Sequence, residues 1–262
     1  VQLAKQRLGA LLPEAELLFE LLSIFPAGVP RDLLLATETA ITASGSLSLL
    51  LETNLARVWG AEQRVSLPAP VRLVGDEAFR GRPGGVFAEA VSRLVQAYTE
   101  LVADLYASFG GDAARAMRAR FLREDQNIRQ LVESALRLET TAGLGHLAAR
   151  WLEGSCHVRE GGLAELGPLA ERVASAAREA GDEKGEANTL QALGDLYVRT
   201  HRLSEAEARY DAALALFRAV EDRLGEANTL KALGDLDVRT HRLTEAEARY
   251  DAALALFRAV ED

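Results

Sequence analysis

Residues 185–222 and 225–262 align without a gap and differ at three positions: Gln191/Lys231, Tyr197/Asp237 and Ser204/Thr244. A segment repeated at a period of 40 limits the fold more sharply than any composition does. Each copy must be one supersecondary unit, and it buries its apolar face by stacking on the next copy. An eroded unit precedes them at the same spacing. GLAELGPLAERVASAAREAGD (162–182) lies over RLSEAEARYDAALALFRAVED (202–222), pairing Leu163 with Leu203, Glu165 with Glu205, Arg178 with Arg218 and Asp182 with Asp222. The near identity of the two full copies fits recent duplication as well as it fits an engineered array.

Within one copy, Leu190, Leu193, Gly194 and Tyr197 share a helical face, and Ala206, Tyr210, Ala213, Leu214 and Phe217 share a second. Two amphipathic helices joined at THRL make a helical hairpin. Ser204 with Glu207, and Thr244 with Glu247, have the spacing of a capping box at the start of the second helix. Gly194 and Ala213 would let the helices approach closely.

These residues resemble the tetratricopeptide family: Leu190, Leu193-Gly194, Tyr197, Ala206, Tyr210 and Ala213 meet its pattern, as do Leu230, Leu233-Gly234, Ala246, Tyr250 and Ala253, with a departure at Asp237. The resemblance implies a solenoid whose first helices line a groove for a protein or peptide. Its groove positions would be Asn188, Gln191, Asp195 and Arg199, with copies at Asn228, Lys231, Asp235 and Arg239. Such amide and charged groups suit an extended chain's backbone and carboxylates. Asp237 falls where a buried Tyr stands in the first copy, so it needs an arginine partner such as Arg242, combined with a half-open end of the array. Tyr250, Leu254 and Phe257 would face a following repeat and are the expected self-association surface, unless further repeats continue the array.

The preceding segment reads as helices near 13–25, 31–40 and 46–58, a β-hairpin across ARVWGAEQRVSL, and a helix in PAPVRLVGDEAF. Three helices and a two-stranded wing make a winged-helix pattern. After the breaker Gly81-Arg82-Pro83-Gly84-Gly85, an apolar stripe runs from Val86 to Phe109, ending at Gly110-Gly111. Two shorter helices are expected at 113–122 and 127–138. LLPEAELLFELLSIFPAGVP, NLARVWGAEQRVSLPAPVRLVGDEAF and EDQNIRQLVESAL together resemble the region after the ATPase core in STAND signalling ATPases of the NB-ARC kind. That resemblance implies a regulatory winged helix, a connector and a sensor array, with ATP or ADP and Mg held by an upstream domain. In the stretch 67–72, Pro68 stands in the slot of the family's nucleotide-touching His.

The expected layout is therefore mainly α: a winged-helix domain with a small hairpin at 1–82, a helical connector at 83–140 and a tetratricopeptide array at 141–262. The array comprises a degenerate unit (143–184) and full units (185–224 and 225–262). No phosphate loop G-x-x-x-x-G-K-[ST] occurs, so no catalytic or cofactor-binding residue is assigned. His146, His157, His201, His241 and Cys156 show no metal-ligand spacing. One cysteine excludes an internal disulfide and favours a cytoplasmic setting. No apolar run reaches membrane length. Net charge is −9, and eight Lys/Arg face nine Asp/Glu over residues 1–82. Both disfavour nucleic acid, although a transcription regulator whose winged helix touches DNA is the alternative function. The leading expectation is a regulatory segment that binds a protein partner and relays this to an upstream nucleotide-binding domain.

Overall fold

The computed structural model describes residues 2–107, 114–159 and 161–261. Among them are thirteen α-helices and one small sheet, in two compact units, 1–140 and 141–262. Phe109, Gly110 and Gly111, expected to close a long apolar helix, lie outside the described residues.

The first unit runs α1 (Gln2–Leu11), α2 (Pro13–Leu22), β1 (Val29–Pro30), α3 (Arg31–Ala36), α4 (Ser44–Glu52), β2 (Arg57–Trp59), β3 (Arg64–Ser66), α5 (Ala69–Gly81), α6 (Ala88–Ala107) and α7 (Ala114–Arg137). Pro13 occupies the first turn of α2, where its missing N–H costs nothing. Ala15, Leu18, Phe19, Leu22 and Phe25 are buried from there on. The hairpin β2–β3 turns at Gly60, whose φ of 72° is a left-handed value that glycine adopts without strain. The sheet has a third strand that the sequence pattern does not announce. β1 pairs antiparallel with β3, giving the order β1-β3-β2. Two residues are too short a run to show alternation.

The expected pair of helices at 113–122 and 127–138 is one continuous helix, α7. The run Arg123-Glu124-Asp125-Gln126 looks like a polar break, but these residues are good helix formers. Glu124, at 0% exposure, binds the buried Arg64 of β3 at 2.5 Å. Arg64 also donates to the carbonyls of Ala27 and Gly28. Asn127 bridges the same loop, accepting from the Ala27 N–H at 3.1 Å and donating to the Gly28 carbonyl at 2.7 Å. Glu124 and Asn127 thus form a buried, satisfied network that fixes α7 to β3 and to the loop at Ala27 and Gly28, while Arg123 and Gln126 face outward. Phe25 stacks on Tyr98 beside it.

The second unit is three helical hairpins: α8 (Leu144–Val158) with α9 (Gly167–Glu179), α10 (Glu183–Arg199) with α11 (Leu203–Ala219), and α12 (Arg223–Arg239) with α13 (Leu243–Glu261). Ser204 does not cap. α11 begins one residue earlier, after Arg202, and no side chain caps it. The working caps are Asp182 and Asp222, which accept from the N–H of Gly185 (2.8 Å) and Gly225 (2.9 Å). The turns of the second and third hairpins close through a left-handed histidine, His201 at φ 60° and His241 at φ 61°. Arg202 N–H then reaches back to the Tyr197 carbonyl at 2.8 Å. Those two histidines are turn residues. Glycines set the helix spacing: a Cβ on Gly145 would lie 2.4 Å from the Gly185 carbonyl, and one on Gly194 would lie 2.4 Å from the Tyr210 ring. Tetratricopeptide-like stacking follows, with α8 beside α10 and α10 beside α12.

Candidate binding cleft

The first helices of the three hairpins leave a cleft of about 300 Å³ along their shared side. Helix α8 contributes His146, Arg150 and Glu153, α10 contributes Lys184, Asn188 and Gln191, and α12 contributes Asn228. Three of the eight expected groove residues, Asn188, Gln191 and Asn228, therefore come together. Asn188 Nδ2 contacts His146 Nε2 at 3.2 Å and donates to the Lys184 carbonyl at 2.9 Å. Lys184 Nζ pairs with the capping Asp222 at 2.7 Å. Burial raises the Asp222 carboxyl, but Lys184 and the Gly225 N–H outweigh it and hold the group below its usual range. Acceptors, donors and both signs of charge thus meet in one wet trough.

The remaining five groove candidates lie elsewhere. Asp195 accepts the Tyr210 hydroxyl at 2.6 Å, and Asp235 accepts that of Tyr250 at 2.7 Å. Each of these bonds ties the first helix of a hairpin to its second. Burial pushes the Asp195 carboxyl up to about 6, Tyr210 opposing and Glu153 reinforcing the rise. Lys231 pairs with Asp235 at 3.1 Å. Arg199 and Arg239 are exposed at the ends of α10 and α12.

His146, Arg150, Glu153 and Lys184 were not among the expected groove residues. The signal was available in the period: counting 40 back from Gly185 reaches Gly145, which places α8 as another first helix. Among the described residues no group of three or more His, Cys, Asp or Glu could hold a metal ion. Cys156 is buried, and burial pushes its thiol up to about 12, with Asp195 adding to the rise. It is an inert core residue at neutral pH.

Asp237 answers to two arginines. It is fully buried, 2.7 Å from Arg242 and 2.7 Å from Arg249, so the expected arginine partner is present but the expected half-open setting is not. In the first copy the equivalent Tyr197 donates to Glu171 at 2.7 Å, Arg209 binds that same carboxylate at 2.9 Å, and Arg202 lies over the Tyr197 ring at 4.1 Å. The partner of the second-helix arginine has moved from Glu171 of the preceding hairpin to Asp237 on the helix itself, while Arg242 also pairs with Glu207 of the preceding hairpin at 2.8 Å.

On the outer helix α13, Tyr250 folds its ring over Gly234, Leu254 is 46% exposed and Phe257 is half-buried. Of the expected self-association trio, Leu254 is the most open.

A tetratricopeptide-repeat family model matches residues 199–259. The match runs from the turn of one full copy to near the end of the next, and the helical hairpins found over those residues agree with it. A comparison with curated proteins returns no match. No helix among the described residues is long and apolar enough to cross a membrane.

Proposed function

We propose that the second unit binds a protein or peptide segment in the trough formed by α8, α10 and α12, and that the chain is the sensor and regulatory part of a STAND-type signalling ATPase. The observation that carries the binding reading is the convergence of Asn188, Gln191 and Asn228 with His146 and Lys184 in one open cleft of a tetratricopeptide array. Amides two repeats deep can hold an extended backbone, and flanking charges can select its side chains. The relay rests on the resemblance of residues 8–138 to the segment between ATPase and sensor in that family. On this reading 1–82 is a winged-helix domain, the segment 83–140 is its connector, and occupancy of the trough changes how the winged helix holds a nucleotide domain with its ATP or ADP and Mg.

The order of elements from α2 onward supports the winged-helix part, because α2, β1, α3 and α4 lead into a hairpin whose second strand also pairs with β1. The DNA-binding alternative is weakened by Arg64, one of only two arginines on the wing. At 1% exposure and paired with Glu124, it has no free face for a phosphate. Association of two copies through Leu254 and Phe257 would be an added property of α13.

The test is a peptide selected for binding to the full chain from a random display library. Asn188→Ala combined with Asn228→Ala should weaken it about tenfold or more without lowering the melting temperature. A peptide whose affinity ignores both changes would send the binding site elsewhere. Saturable duplex DNA binding at low salt would favour the alternative.

A further inference from the structure

The first unit holds a cleft of about 390 Å³ that no step above uses. One wall is α5, where Arg72, Asp76 and Arg80 follow one another at i, i+4 spacing and so share a face. The other wall is α7, with Gln126 and Arg129, and the turn after α2 closes the cleft with Ile24 and Pro26. Arg80 is committed, because its Nε donates to Asp76 at 3.0 Å. Arg72 and Arg129 are half-buried and, among the described residues, make no ion pair or hydrogen bond. The one carboxylate on the cleft, Asp76, is already taken by Arg80, so two half-buried guanidiniums face the cavity with no anionic partner of their own, a setting that an anion would complete. The local excess of positive charge also shows at Arg137, which lies over the Phe79 ring at 4.7 Å. Its guanidinium is held below its ordinary range by burial and by Arg80. All this occurs in a chain of net charge −9, so the basic cleft runs against the charge of the whole.

We infer that this cleft is a binding site for a compact small molecule carrying two negative charges, a phosphate ester or a dicarboxylate, clamped between Arg72 and Arg129. The forked guanidinium matches the oxygen spacing of either group. Gln126 supplies an amide, and Ile24, Pro26 and Leu73 offer apolar surface to the carbon body. The volume lies within the roughly 300–1,000 Å³ range of small-molecule sites.

Titration calorimetry of the full chain at low salt, with glycerol 3-phosphate and succinate as probes, tests this. The expected result is one saturable site. Arg72→Gln and Arg129→Gln should each weaken it about tenfold. Leu73→Asp should do the same by placing a like charge at the rim. Leu73 is 70% exposed, so that variant keeps its melting temperature and separates loss of binding from loss of fold. Arg93→Gln, an exposed arginine of α6 outside the cleft, should change nothing. Tighter glycerol 3-phosphate assigns phosphate esters, and tighter succinate assigns dicarboxylates. Absence of saturable binding, or equal weakening by Arg93→Gln, overturns the inference. So does a poly-glutamate peptide that binds more tightly than both probes, since the cleft would then serve an acidic polypeptide.

Discussion

Phe217 and Phe257 are the same residue at the same place in two copies of one hairpin. Phe217 is 1% exposed, and its ring lies so near Gly225 of the next hairpin that a Cβ there would come within 2.3 Å. Phe257 has no such neighbour among the described residues and is half-buried. Leu214 and Leu254 repeat the contrast, at 9% and 46% exposure. Sequence alone therefore does not set the burial of a residue in a repeat, because half of its surroundings belong to the next unit. Stability in such an array is a sum of hairpin terms and nearest-neighbour terms, and the two copies differ chiefly in the second.

The contrast can be broken by truncation. Phe217→Ala should cost about 3–5 kcal/mol in a urea titration, the range for a fully buried aromatic, whereas Phe257→Ala should cost about 1 kcal/mol. Equal losses would mean that α13 is covered as well as α11 is.

Exchanging the variant residue sharpens the comparison further. Tyr197→Asp puts a carboxylate beside Glu171, which already occupies Arg209, and should cost about 2 kcal/mol or more. Asp237→Tyr should cost less than about 1 kcal/mol. The new ring can lie under Arg242 as Tyr197 lies under Arg202, and Arg249, 27% exposed, keeps water. Thermal denaturation of both variants checks the order, and a larger loss at 237 would contradict the reading of that site.

A smaller effect separates Asp195 from its copy. Burial raises the Asp195 carboxyl from 3.8 to about 6, so the folded state holds that proton more tightly than the unfolded chain does. The resulting stabilisation is complete below about pH 3.8 and is lost as pH rises through about 6. Asp195→Asn keeps an oxygen for the Tyr210 hydroxyl and removes the charge. It should raise stability by about 1 kcal/mol at pH 8 relative to the native chain, with the gain shrinking towards pH 4. Asp235 is exposed, and Asp235→Asn should leave the melting temperature nearly unchanged.

The hairpins were legible because their apolar faces recur at helical spacing and the copying fixes the period. The caps were misread, since Ser204-x-x-Glu207 has the right letters two residues past the N-cap position at Arg202, while Asp182 and Asp222 sit at the junctions between hairpins, away from the apolar faces that mark the helices. α7 was split because four polar residues in a row look like solvent, and only the fold places Arg64 opposite Glu124. The cleft was half legible. Asn188, Gln191 and Asn228 follow from face periodicity, but Asp195 and Asp235 lie on the same face and are claimed by tyrosines 15 residues away, a pairing across two helices that no single-helix pattern reveals.

Amide hydrogen exchange on the full chain, with and without a saturating selected peptide, tests the trough most directly. The account predicts new protection along α8, α10 and α12, centred on the turns bearing Asn188, Gln191 and Asn228, with α11 and α13 unchanged. Protection confined to α11 and α13, with the first helices unaffected, would contradict it.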